Sequence, residues 1–140
     1  MVLRLLVIAL VLSFTWEMLQ MSAFAGLPES RLVAAGVCAA AAVGDALIVL
    51  AMFGLGVIVF GDRRWFAPPN ARRYAVVLPA GLLLQLALEW VAVHRLALWS
   101  YRDRHPMVPG LDVGLWPTLQ PIVVLPLAFW LLGKSQKVRV

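Results

Sequence analysis

Four long apolar stretches, separated by short polar segments, dominate the hydrophobic pattern of this chain of 140 residues. They cover residues 2–24, 32–60, 74–98 and 116–133. A membrane-crossing helix needs about 20 predominantly apolar residues, so each stretch is long enough to span a bilayer. The pattern therefore predicts an all-α integral membrane protein, in which four transmembrane helices form one bundle and residues 1–140 form a single domain.

Turn-forming and polar residues mark the boundaries of these stretches. Gly61-Asp62-Arg63-Arg64 ends the second stretch, and Pro117 occupies a favourable position at the start of the fourth. The end of the first stretch resembles a signal-peptidase site, but Glu17 and Gln20 lie where a signal peptide is apolar. We therefore expect the first helix to be retained, with residues 99–115 forming the longest loop.

The composition excludes the main soluble classes. Hydrophobic residues make up 63% of the chain, charged residues 14%, and the mean hydropathy is +0.90. A soluble domain is about 45–50% apolar and about 25% charged, so a soluble enzyme or a disordered chain is excluded. The single cysteine, Cys38, has no partner for a disulfide, which excludes a disulfide-built secreted module.

The positions of the basic residues predict the orientation. Of 12 Lys and Arg residues, eight fall on one face of the predicted bundle and four on the other. The eight are Arg4, Arg63, Arg64, Arg72, Arg73, Lys134, Lys137 and Arg139, and the four are Arg31, Arg95, Arg102 and Arg104. The positive-inside rule then places both termini in the cytoplasm of a bacterial-type inner membrane. The same distribution accounts for the net charge of +5 without nucleic-acid binding.

Each predicted helix carries one strongly polar side chain at a similar depth. These are Glu17, Asp45, Glu89 and Gln120. Counted along the helices from the cytoplasmic charges, all four lie roughly 20–24 Å deep, in the outer half of the bilayer core. Because a charge at the membrane centre costs at least about 2.5–3.5 kcal/mol, three carboxylates at one level predict a functional site. The structural alternative is that protonated carboxyl groups only join the helices by hydrogen bonds.

Other side chains extend this predicted polar layer. Gln20 shares a helix face with Glu17, and Gln85 shares one with Glu89. Trp16 and Trp90 flank the two glutamates and would wall an apolar site, and the candidate substrate contacts also include His94 and the loop residue Tyr101. We expect Arg102 and Arg104 of the same loop to hold a phosphate or carboxylate head group above the carboxylates.

A stripe of small residues marks a helix contact in the second stretch. Gly36, Ala40 and Gly44 recur every four residues, a spacing that lets helix backbones approach closely. Packing within the chain is the commoner use of such a stripe, and a homodimer interface is the alternative.

The polar layer favours an enzyme that performs acid/base chemistry, namely isomerisation, cyclisation or hydrolysis, on a lipid or isoprenoid from the bilayer. In that hypothesis one of Glu17, Asp45 and Glu89 acts as an acid and another as a base or cation stabiliser. The alternatives are a proton- or cation-coupled transporter, or an accessory subunit that binds a lipid, pigment or quinone. No ligand-spacing motif indicates a metal, and the sequence identifies no cofactor.

Overall fold

The computed structural model describes residues 1–137 and shows an all-helical bundle, with 72% of the residues in helices. The helices are α1 (Val2–Gln20), α2 (Arg31–Phe60), α3 (Ala71–His94) and α4 (Leu115–Lys137). All four are long and apolar enough to cross a membrane, which confirms the predicted four helices of membrane-spanning length. Arg139, one of the eight basic residues that predict the orientation, lies outside the described residues.

Local capping sets the helix boundaries between α2 and α3. Gly61 ends α2 in the left-handed conformation, at a φ of 64°, and its N–H bonds to the carbonyl of Val57. The side chain of Asn70 accepts hydrogen bonds from the first free N–H groups of α3. Helix α3 therefore begins three residues before the predicted start at residue 74.

The C-terminal end of α3 differs from the prediction in the opposite direction. The apolar run continues to Leu98, but the helix ends at His94, and Ala97 has a φ of 49°. Leu96 and Leu98 lie beyond the helix, where both are exposed and line the rim of a cavity.

Helix packing follows a ring in which α1 and α3 are each flanked by α2 and α4. Helices α2 and α4 also touch across the centre of the bundle. This arrangement brings all four helices around one interior.

One end of this interior is filled by aromatic rings. We call it the aromatic end, and it comprises Phe53, Trp65, Phe66, Tyr74 and Phe129. Trp65 is fully buried, its ring centroid lies 4.9 Å from that of Phe129, and its Nε1 donates to the Phe53 carbonyl at 3.2 Å. The indole of Trp65 packs directly against the backbone of α2 at Gly56. A Cβ at this position would overlap the ring, so the close approach requires glycine.

The opposite end is closed by the connection between α3 and α4, residues 95–114, which we call the strap. Its strand β2 (Ser100–Tyr101) pairs antiparallel with β1 (Phe24–Ala25), just after α1. A second antiparallel pair, β3 (Met107–Val108) with β4 (Val113–Gly114), folds the strap on itself. The predicted loop 99–115 is thus an ordered cover, and the half of the bundle beneath it, which holds Glu17, Asp45 and Glu89, is called the polar end.

In residues 1–137, no helix packs against the small-residue stripe on α2. Gly36, Ala40 and Gly44 are all exposed, and a Cβ added at Gly36 or Gly44 would meet no atom within 4 Å. The expectation that the stripe packs within the chain is therefore wrong. Its use in a homodimer stays a prediction.

Candidate functional site: a cavity lined by three carboxylates

A cavity of about 560 Å³ occupies the polar end of the bundle. Glu17 of α1, Asp45 of α2 and Glu89 of α3 all line it. Three of the seven acidic residues of the chain therefore face one volume, although they lie far apart in sequence. We call this volume the main cavity, and its size falls within the range of about 300–1,000 Å³ that is typical of small-molecule sites.

On one wall, Glu17 and Asp45 form a carboxyl pair. Their side chains contact each other, while Gln20 donates from Nε2 to Glu17 Oε1 at 2.7 Å. Gln120 donates from Nε2 to Asp45 Oδ2 at 2.8 Å, and Gln85 lies beside Asp45 in the same lining. Two carboxyl groups in contact repel each other when both are ionised, so this arrangement favours a proton shared between them.

Glu89 stands apart from this pair and is held by the strap. Trp99 donates from Nε1 to Glu89 Oε1 at 3.0 Å, and the Tyr101 hydroxyl donates to the same oxygen. Burial, together with the neighbouring carboxylate, raises the pKa of Tyr101, so its hydroxyl keeps the proton it donates. Within the described chain Oε2 receives no hydrogen bond, which leaves it available to a ligand.

The remaining walls of the main cavity are apolar or small. They are formed mainly by α2 and α3, with Phe24, Leu27 and Pro117 from the neighbouring segments. Val37 on α2 and Leu88 on α3 line the cavity and are nevertheless 44% and 48% exposed. The cavity therefore opens sideways between these two helices, toward the surface that would face lipid.

A second, much smaller cavity lies behind Asp45. It measures about 10 Å³, and Asp45, Gln85 and Gln120 supply its polar lining. Gln120 is only 2% exposed, and its Oε1 has no hydrogen-bond partner in residues 1–137. The space is sufficient for about one water molecule, which would satisfy that oxygen.

Several residues predicted to bind substrate lie away from the main cavity. Trp90 packs against His94 at 5.3 Å between ring centroids, and the His94 ring reaches the carbonyl of Leu111 at 3.1 Å. Trp16 is not part of the cavity lining either. Trp90 follows Glu89 directly, and adjacent residues on a helix point about 100° apart, so they face different surroundings.

The two strap arginines, predicted to hold a head group, do not line the main cavity. Arg102 donates from Nε to the carbonyl of Phe24 at 3.2 Å, and its backbone N–H bonds to Ala23. Arg102 thus fastens the strap to the segment after α1. Arg104 is exposed, and neither arginine lines the cavity.

Sequence reasoning missed Trp99, Phe24 and His105 as parts of the site. Trp99 begins the predicted loop 99–115, and its partner Glu89 is ten positions earlier, across the end of α3. His105 is buried and stacks on Tyr101 with ring centroids 4.7 Å apart. Burial lowers the pKa of His105. No sequence spacing signals these contacts, because they depend on the reversal of the strap.

The donor set does not resemble a metal centre. In the part of the chain that the structure describes, no group of three or more His, Cys, Asp and Glu side chains is arranged to hold a metal ion.

Comparisons of the chain with protein-family models, with curated proteins and with solved structures gave no match.

Proposed function

We propose that this protein is a small membrane enzyme that isomerises or cyclises a hydrophobic lipid or isoprenoid by acid/base chemistry. The observation that carries the proposal is that Glu17, Asp45 and Glu89 line one otherwise largely apolar cavity. Its sideways opening between α2 and α3 suits a substrate that arrives from the bilayer. Few water molecules would compete for a proton in such a cavity.

The two types of carboxylate setting suit two roles. The Glu17–Asp45 pair holds a shared proton and acts as the acid. The π electrons of a substrate alkene form a new C–H bond with this proton, which leaves the carboxyl pair ionised and the substrate as a carbocation. Glu89, whose Oε1 is occupied by two donors, uses Oε2 as the base. It removes a proton from a neighbouring carbon, and the electrons of that C–H bond restore an alkene. One proton enters and one leaves, and exchange with water returns it to the pair.

The proposed orientation places both termini in the cytoplasm of a bacterial-type inner membrane. The basic residues support it, because seven of the 11 in residues 1–137 lie at the aromatic end or in the segments next to it. The main cavity would then lie in the outer half of the bilayer.

The packing of the two ends favours conversion over transport. A transport pathway must reach both membrane surfaces, whereas the rings around Trp65 fill the aromatic end. An accessory role in binding a lipid, pigment or quinone would use the same cavity without turnover.

Deuterium incorporation tests the proposal with a mixture of possible substrates. The purified protein is incubated in D₂O with a neutral-lipid extract of its host membrane, and the extract is analysed by mass spectrometry. We expect at least one compound to gain deuterium at carbon. Glu17→Gln, Asp45→Asn and Glu89→Gln should each lower the rate at least about 100-fold, as expected for loss of a general acid or base.

Glu29→Gln is the matched control, because Glu29 is exposed and does not line the main cavity. It should leave the rate unchanged. Absence of deuterium at carbon, or equal incorporation by all four variants, would contradict catalysis and leave ligand binding alone as the role of the cavity.

A further inference from the structure

The main cavity carries a one-sided set of ionisable groups. Among the residues that the structure describes, its lining includes Glu17, Asp45 and Glu89 but no Lys, Arg or His. Amide, indole and hydroxyl groups are the hydrogen-bond donors to these carboxylates. Such donors stabilise a negative charge without cancelling it, so the walls of the cavity stay acidic.

Two basic residues that are near the lining in sequence, Arg95 and Arg102, are engaged elsewhere. The guanidinium of Arg95 lies over the ring of Trp90, 5.5 Å from its centroid. Arg102 donates to the carbonyl of Phe24. Neither group enters the lining, so an anionic ligand in the cavity would meet carboxylates without a compensating cation.

We propose that the main cavity selects against negatively charged ligands and stabilises positive charge. The ligand is then a neutral hydrophobic molecule that becomes cationic during the reaction, or a stable lipophilic cation that fits the same cavity. Molecules with a phosphate or carboxylate inside the cavity are excluded. This inference rests on the proposed function, because it assigns the charge class of the substrate at the same site.

Two aromatic rings in the lining favour the same charge. Phe24 and Trp99 both line the cavity and pack edge-to-face, with ring centroids 6.3 Å apart. The face of an aromatic ring attracts a cation, most strongly for Trp. A carbocation formed beside Glu89 would therefore meet both a carboxylate and a π surface.

A pair of ions with nearly the same shape and opposite charge tests the inference. Tetraphenylphosphonium and tetraphenylborate are each equilibrated by dialysis against the purified protein in a non-ionic detergent. The two ions partition differently into micelles, so the binding of each ion is first corrected for its uptake by empty micelles. The measured quantity is the ratio of the two corrected affinities. We expect the protein to favour the cation at least about 100-fold. This is the effect on affinity of one unit charge about 6 Å from the ion at an effective dielectric of about 20.

Amide variants attribute this preference to the cavity. Glu89→Gln and Asp45→Asn should each reduce the preference about 10-fold or more, while Glu29→Gln should leave it unchanged. Equal binding of the two ions, preference for the borate, or no saturable binding of either by protein with native helix content would overturn the inference. Borate preference with intact deuterium incorporation would overturn the charge class alone. Cation preference without deuterium incorporation would contradict catalysis alone.

Discussion

At the aromatic end, rings from α2, α3, α4 and the loop between α2 and α3 fill the interior around Trp65, whereas at the polar end α2 and α3 border a cavity of about 560 Å³. The aromatic end is held together by dispersion contacts between buried rings. The polar end is held together by hydrogen bonds to carboxylates. Many small contacts in the tightly packed aromatic end add up to a large contribution to the free energy of unfolding. The open polar end contributes little to it, because burying polar groups is costly. The comparison separates residues that maintain the fold from those that line the proposed site.

The largest expected effect on folding is at Trp65. Trp65→Ala should lower the free energy of unfolding by about 3–5 kcal/mol, because it leaves a cavity among the packed rings. Unfolding in mixed detergent micelles, followed by circular dichroism, measures the change. Trp130→Ala is the matched control, since Trp130 is 45% exposed, and should cost much less. Equal costs for the two variants would contradict the difference between a packed and an exposed indole.

Gly114→Ala is expected to have the next largest effect and to act at the polar end. A Cβ at this position would lie 2.5 Å from the Tyr101 ring and 2.6 Å from His105 Nε2. The strap must shift, at a cost of about 1–3 kcal/mol. Hydrogen exchange should rise in the strap and stay unchanged at the aromatic end. Gly36→Ala is the control: space is open there, and it should stabilise α2 by up to about 1 kcal/mol.

The buried His105 predicts a pH dependence confined to the strap. Because burial lowers the pKa of His105 in the folded protein, its contribution to stability is complete above the usual pKa of about 6.5 and falls as pH drops below it. Tm should therefore decrease between about pH 7 and pH 5, by less than the change for Gly114→Ala. Subtraction of the Tm profile of His105→Phe isolates this residue. Parallel profiles for the two proteins would exclude His105 as the cause.

The smallest expected effect is at the half-exposed ion pair near the aromatic end. Arg73 Nη1 lies 3.4 Å from Asp62 Oδ2 and also donates to the Trp65 carbonyl at 2.8 Å. Asp62→Asn should lower the free energy of unfolding by no more than about 1 kcal/mol, since partly exposed ion pairs contribute little. A loss as large as that of Trp65→Ala would show that charge, rather than ring packing, stabilises this end.

The helices were predictable because a bilayer imposes a simple length and polarity requirement. The carboxylates could be selected because charge inside an apolar stretch is rare, and counting residues gave their approximate depth. Depth alone does not give rotation about the helix axis, which is why Trp90 was predicted beside the ligand but packs against His94. Likewise, small residues permit close approach of a helix, but Ala40 and Gly44 line a cavity instead.

The strap was the least predictable part of the site. Its residues approach Glu89 only because β2 pairs with β1, about 75 positions earlier in the chain. Such a contact leaves no periodic signal, since it depends on a turn after α3 and on side chains that converge from the other direction. Tyr101 could be identified as a candidate, but its role as a donor to Glu89 follows only from the fold.

The hydrogen bond between Gln120 and Asp45 has a consequence for biogenesis. Its partners are 75 positions apart, so a ribosome completes α2 well before it synthesises the amide that bonds to Asp45. Glu17, which contacts Asp45, is already present in the nascent chain. Asp45 is therefore synthesised with Glu17 already available as a neighbour, and the glutamine of α4 joins the carboxyl pair only after the last helix is made.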